Sequence, residues 1–130
     1  MNYLNAQKKY WRKGALEDIE VSKELLALKR YLHCLFYATL SLEKALKYQI
    51  ILETKKLPPF SHDLVKLYSI SMTKVQISTD FLHKTNKYNI EARYPEEKYR
   101  LSTGIDKKTI GDKILQIEKL VFQLCNKKQQ

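Results

Sequence analysis

Apolar residues recur along the chain at intervals of three and four, the period of an α-helix buried on one side. From Tyr3 to Leu28, Leu4, Trp11, Ala15, Ile19, Leu25 and Leu26 follow that spacing with charges between them. Gly14 lies inside the run, at some cost to a helix. From about Lys29 to Thr54, Leu32, Leu35, Phe36, Leu42, Ala45, Leu46, Ile50 and Leu52 cover much of the circumference, as in a central helix touched on several sides. Pro58-Pro59 ends this helix, since proline lacks the amide hydrogen and biases the residue before it away from helix. Ser61 then reads as an N-cap with Asp63 in the first turn, and "HDLVKLYSI" as a short helix with Leu64, Leu67 and Tyr68 on one face. A fourth helix is expected from near Thr73 to near Tyr88, with Val75, Ile77, Phe81 and Leu82 inward. Residues 89–105, "NIEARYPEEKYRLSTGI", show no period and hold a proline and a glycine, so they read as a loop. Asp106 or Thr109 is the expected cap of a last helix carrying Ile110, Ile114, Ile117, Val121 and Leu124. The pattern predicts an all-α bundle of five helices, one of them short.

Length and composition agree with that reading. A chain of 130 residues suits one domain over 1–130, and three glycines with three prolines leave few sites for hairpins. The formal net charge is +10, from 24 lysines and arginines against 14 acids. Such a balance suits nucleic acid, a nucleotide or an acidic protein as partner. The charge also fits solvated faces, because the lysines are spread in doublets and no block of five or six like charges occurs. Bidentate recognition of phosphate would have to use Arg12, Arg30, Arg93 or Arg100. Cys34 and Cys125 sit in apolar runs and read as buried free thiols in a reducing compartment. The start, "MNYLNAQKKYW", carries charges where a signal peptide needs its apolar core, and no apolar run reaches the length of a membrane span. The expected location is the cytoplasm, with no membrane partner.

Three places hold candidate chemistry. Glu43 falls among Leu35, Ala38, Leu42, Ala45, Leu46 and Gln49 on the second helix, which puts its carboxylate at the edge of the core. A carboxylate there needs a partner or is driven neutral. The acid is expected to turn toward a polar pocket and Lys44 toward solvent. No second inward Glu-x-x-His accompanies it, so neither a metal site nor a cofactor is expected. His62 either packs on the proline-rich loop or joins a polar cluster with Glu43 or Arg93. The stretch "EARYPEEKYR" concentrates Arg93, Tyr94, Tyr99 and Arg100. Tyr94 before Pro95 is held extended, so one of Arg93 and Tyr94 can face the bundle while the other reaches a ligand. The same stretch reads equally as a loop pinned by a tyrosine on the core. His33 and His83 have no serine or cysteine at a catalytic spacing.

Trp11, Ala15 and Asp18, then "SLEKALKYQI", "SHDLVKL" and "ARYPEE", occur in an order and at spacings that resemble the HEPN family of helical proteins. The resemblance implies four helices in an up-and-down bundle with an additional short helix, often dimeric, and commonly encoded beside a minimal nucleotidyltransferase in toxin–antitoxin-like pairs. Many members of that family are metal-independent RNases whose arginine precedes a histidine by four to six intervening residues. This sequence lacks the motif: Arg30 and His33 are separated by two residues, and no histidine follows Arg93 or Arg100. Histidine would serve there as acid and base while arginine holds phosphate, so the reading leans away from an enzyme. What the resemblance carries over is Glu43, His62 and the Arg93-Tyr94-Pro95 stretch, with nucleotide binding as the implied role. The ligand-binding candidates are Glu43, Lys47, His62, Asp63, Arg93 and Tyr94. The resulting expectation is a non-catalytic nucleotide- or RNA-binding module, homodimeric and partnered by a minimal nucleotidyltransferase. An RNase using His62 with Arg93 or Arg100, or a purely structural interaction protein, are the alternatives.

Overall fold

The computed structural model describes residues 2–93 and 107–127, without the side chains of 89–93. Its helices are α1 (Tyr3–Ala27), α2 (Tyr31–Thr54), α3 (Leu64–Ser71), α4 (Thr79–Arg93) and α5 (Lys107–Leu124). Among the described residues there is no strand, and no helix is long and apolar enough to cross a membrane.

The connection from α1 to α2 is short because α1 ends in a tight reversal. The Arg30 amide donates to the Leu25 carbonyl and the Lys29 amide to that of Leu26, at 2.9 and 3.0 Å, with Lys29 in the left-handed region at φ 62°. This double bond is the Schellman arrangement, and it sends α2 back along α1. Small residues then let the two backbones approach. Ser41 donates to the Ala15 carbonyl at 2.6 Å and Ser22 to that of Cys34 at 2.8 Å, all four residues being buried.

Helix α2 touches every other helix, as its all-round apolar pattern predicts. Leu35, Leu42 and Leu46 on it are fully buried, as are Leu64 and Leu67 from α3, Leu82 from α4, and Ile114, Ile117, Val121 and Leu124 from α5. Each such side chain contributes about 2 kcal/mol relative to exposure. The end of α5 is tied to the first two helices. Gln49 donates to the Leu124 carbonyl at 2.6 Å and Arg12 Nε to that of Cys125 at 2.8 Å, satisfying acceptors that a helix end leaves open. Arg12 is therefore a structural clamp.

Several expected boundaries shift. The fourth helix starts at Thr79, not near Thr73. Ser78 Oγ accepts from the Phe81 amide at 3.3 Å, the N-cap geometry, with Asp80 in the first turn. Residues 73–78 instead form a connection pinned by Tyr68, whose hydroxyl donates to the Val75 carbonyl and accepts from the Ile77 amide, at 2.9 and 3.1 Å. The same helix continues to Arg93, so residues 89–93 are helical and not a loop. Thr109 lies inside α5 and does not cap it, while Asp106 falls outside the described residues.

Candidate functional site

Glu43 lies on the central helix, on a face covered by α1 and by the linker 55–63, and is 2% exposed. It sits in the core itself and not at the edge. A carboxylate so placed needs donors on both oxygens, and two are supplied. Lys47, one turn on and itself 6% exposed, places Nζ 3.1 Å from Glu43 Oε2. His62 reaches in from the linker, with Nδ1 at 3.0 Å from Oε1 and 3.1 Å from Oε2. The Lys47 amine also lies over the Trp11 ring, 4.9 Å from its centroid, so α1 closes the cluster from the other side with a cation–π contact. The Trp11 indole nitrogen is buried with no acceptor among the described residues.

The His62 side chain remains 61% exposed. An ionised carboxylate is an acceptor only, so the nitrogen facing it carries the proton and Nε2 points away from Glu43. The linker is fixed just beyond. Asp63, not Ser61, is the N-cap of α3: its side chain accepts from the amides of Val65 and Lys66 at 3.0 and 3.4 Å. Ser61 Oγ accepts from the Asp63 amide at 3.1 Å, and His62 therefore precedes the helix. From α4, Asn86 donates to Asp63 at 2.9 Å and accepts from the Leu64 amide at 2.9 Å. Burial alone would push the Asp63 carboxyl up. The bonds from Asn86 and the amides of Lys66 and Val65, with His83 nearby, outweigh it and hold the carboxyl below its ordinary value.

The structure thus brings Glu43, Lys47 and His62 into one cluster, while Asp63 stands beside it and is spent on capping. Arg93 ends α4 with its side chain outside the described residues, as are Tyr94 and Arg100 entirely. Lys44 does not face solvent. Its amine lies 2.8 Å from Asp18 Oδ2 as a half-buried ion pair, without the alignment of a hydrogen bond. Asn86 is a site neighbour that the sequence pattern does not single out, although an asparagine in mid-helix, able to bond backbone elsewhere, is a signal.

Both thiols are buried and free. Burial raises Cys34, against the Ser22 hydroxyl, and pushes Cys125 up to about 12, against Arg12. They are inert as nucleophiles. Among the described residues no group of three or more His, Cys, Asp or Glu could hold a metal ion. A groove of about 370 Å³ between the 76–81 segment and α5, lined by Gln76, Ile77, Phe81, Gln116 and Leu120, includes none of the cluster residues.

A bundle built around one central helix, whose buried carboxylate grips a histidine from the linker that follows, defines a class of small all-α domain. The HEPN domain family model matches residues 8–128, and the chain belongs to this family. Its fold is also that of a solved protein, the crystal structure of TT1696 from Thermus thermophilus. The TM-score is 0.72 at 17% identity, over 94% of this chain and 98% of that one. No curated protein matches. HEPN domains often dimerise and bind nucleotides or RNA.

Proposed function

We propose that the chain, acting as one domain over residues 1–130, is a non-catalytic nucleotide- or RNA-binding module in the cytoplasm. It works as a homodimer and as the partner of a minimal nucleotidyltransferase in a toxin–antitoxin-like pair. The observation that carries the ligand assignment is His62: anchored through Nδ1 on buried Glu43, it offers Nε2 to solvent on a protein of net charge +10. An imidazole held in that way is positioned to meet a phosphate oxygen, and the surrounding positive field draws the anion in. Glu43 and Lys47 set the ring, and Arg93 supplies the planar fork of a second contact.

Calorimetric titration of ATP and of a short RNA at low salt tests this. Binding is expected to weaken in His62→Ala and in Arg93→Lys, and to fall as salt is added. If both variants bind as the parent does while multiple lysine changes abolish binding, the contact is diffuse charge and the site is wrong. A dimer by light scattering and co-purification with a nucleotidyltransferase are the expected associations. A strict monomer with no partner in its own extract sinks that half of the proposal.

One feature favours a second reading, metal-independent RNA cleavage. A carboxylate that holds Nδ1–H leaves Nε2 able to take a proton, as a general base must. Arg93 or Arg100 would then hold the phosphate. Cleavage of tRNA or mRNA that disappears in His62→Ala, with the fold intact, would establish this in place of simple binding.

A further inference from the structure

The linker from α2 to α3 carries residues that the Glu43 cluster does not use. Phe60 is wholly exposed, at 109% relative exposure, and Leu57 is 49% exposed. A single exposed apolar residue is ordinary. The setting of Phe60 is not. Pro58 and Pro59 restrict the backbone just before it. Two residues later His62 is bound to Glu43, and one residue beyond that Asp63 is clipped to Asn86. On the other side Thr54 and Lys55 close the end of α2: the Lys55 amide bonds the Ile51 carbonyl at 3.0 Å and its side chain that of Leu52 at 2.6 Å. The ring therefore stands in solvent on a segment anchored at both ends, where ordering it on a ligand forfeits little entropy.

Its neighbours along the chain are more often basic than acidic, the exposed acids being Glu53 and Asp63, the second of them held in the α3 cap. Lys55 and Lys56 precede it within five residues, His62 follows, and Lys66 is on the exposed side of the next helix; all four are exposed. A protein partner would require a contiguous apolar patch with lysine depleted. An exposed ring flanked by lysines, with Leu57 as the other exposed apolar side chain of the linker, fits a nucleobase instead, stacked on the ring with its flanking phosphates on the amines. Bases inside a duplex present no free face, so the ligand is single-stranded.

We infer that Phe60 is the base-stacking platform of a single-stranded RNA site, with Lys56 and Lys66 on the flanking phosphates and His62 Nε2 at the adjoining phosphate. This rests on the RNA-binding reading above and narrows it to one ligand class and one surface.

Fluorescence anisotropy with a labelled uridine-rich oligoribonucleotide at low salt tests the inference, comparing the parent with Phe60→Ala, Phe60→Trp and His62→Ala. Phe60→Ala is expected to lose about tenfold in affinity, within the range that stacking on one aromatic provides. Phe60→Trp should keep the parental affinity, with quenching of the new indole's emission on binding. Duplex RNA of equal length should bind more weakly than the single strand, and the matching deoxyribonucleotide strand separates RNA recognition from recognition of any single strand. If the parent fails to bind RNA at low salt, the RNA reading falls and this inference with it. If the parent binds and His62→Ala weakens it while Phe60→Ala does not, only the stacking role is overturned. Equal affinity for duplex, or equal or tighter binding of the deoxyribonucleotide strand, overturns the ligand class. Should Phe60→Ala change the molar mass by light scattering and leave RNA affinity untouched, the ring is a protein contact and the inference is wrong.

Discussion

Lys47 and Glu43 form an ion pair inside a single helix turn, 3.1 Å apart, with side chains only 7% and 3% exposed. Two charges this far from water hold each other in place, and neither is tolerable alone.

Glu43→Leu should therefore destabilise by about 3 kcal/mol, because it leaves the Lys47 ammonium buried without its counter-charge. Adding Lys47→Leu should restore most of the loss. Urea unfolding of the two single variants and the double variant gives the coupling. A Glu43→Leu protein as stable as the parent would show that the pair contributes nothing to the fold.

His62→Ala should behave differently. The ring is 61% exposed and Glu43 retains Lys47, so the stability change is expected to stay within about 1 kcal/mol. A variant that keeps its melting temperature and loses ligand identifies His62 as a binding residue. A loss as large as that of Glu43→Leu would make it a structural pin.

Gly14 has a use beyond tolerance. A Cβ there would meet Lys44 Cδ at 3.0 Å and Nζ at 3.3 Å, so the missing side chain gives Lys44 its route across α1 to Asp18. Alanine ordinarily gains about 1 kcal/mol over glycine within a helix. Gly14→Ala should show little of that gain in the parent and nearly all of it in a Lys44→Met background. Equal gains in both backgrounds would mean that Lys44 is not confined by α1.

Lys113 on α5 is 9% exposed, its amine 3.7 Å from the Phe81 ring centroid and 5.3 Å from that of Tyr88. Burial lowers its pKa to about 8, Lys84 adds to the fall and Asp80 opposes it. Between pH 8 and the ordinary value of 10.5 the unfolded chain binds more protons at this residue than the folded one, so folding is favoured as pH rises through that window. Lys113→Met should stabilise by about 1–3 kcal/mol at pH 7, where the parent carries the desolvated charge. The advantage should shrink above pH 8 and vanish near 10.5, as thermal melts at stepped pH would reveal. An advantage independent of pH would place the charge in water.

The helices are readable in the sequence because each buries a stripe or, for α2, nearly its whole circumference, and that periodicity is a local property of the chain. The start of α4 is misleading because Val75 and Ile77 continue an apolar rhythm across a non-helical connection. What orders that connection is the Tyr68 hydroxyl, a tertiary contact with no periodic signature. Ser78-Thr79-Asp80 is the local signal for the true start. The pairing of Glu43 with His62 is open to inference because a charge in an apolar helix demands a partner, and the proline break returns a histidine to it. The burial of Lys47 is not, since at one turn from Glu43 a lysine reads as an ordinary surface pair. The approach of Trp11 from α1 is a tertiary contact that helps take it out of water.

The helix ends leave the protein with unused room for improvement. Lys29, Lys55 and Met72 occupy left-handed conformations at chain reversals that glycine would enter freely, and each L side chain there costs about 1–2 kcal/mol. Lys29, Lys55 and Met72 are all exposed, so relieving them disturbs no core contact. An engineer seeking a hardier scaffold, or a lineage moving to a hotter habitat, could draw on Lys29 and Met72 first, since the Lys55 side chain bonds the Leu52 carbonyl on the segment that carries Phe60.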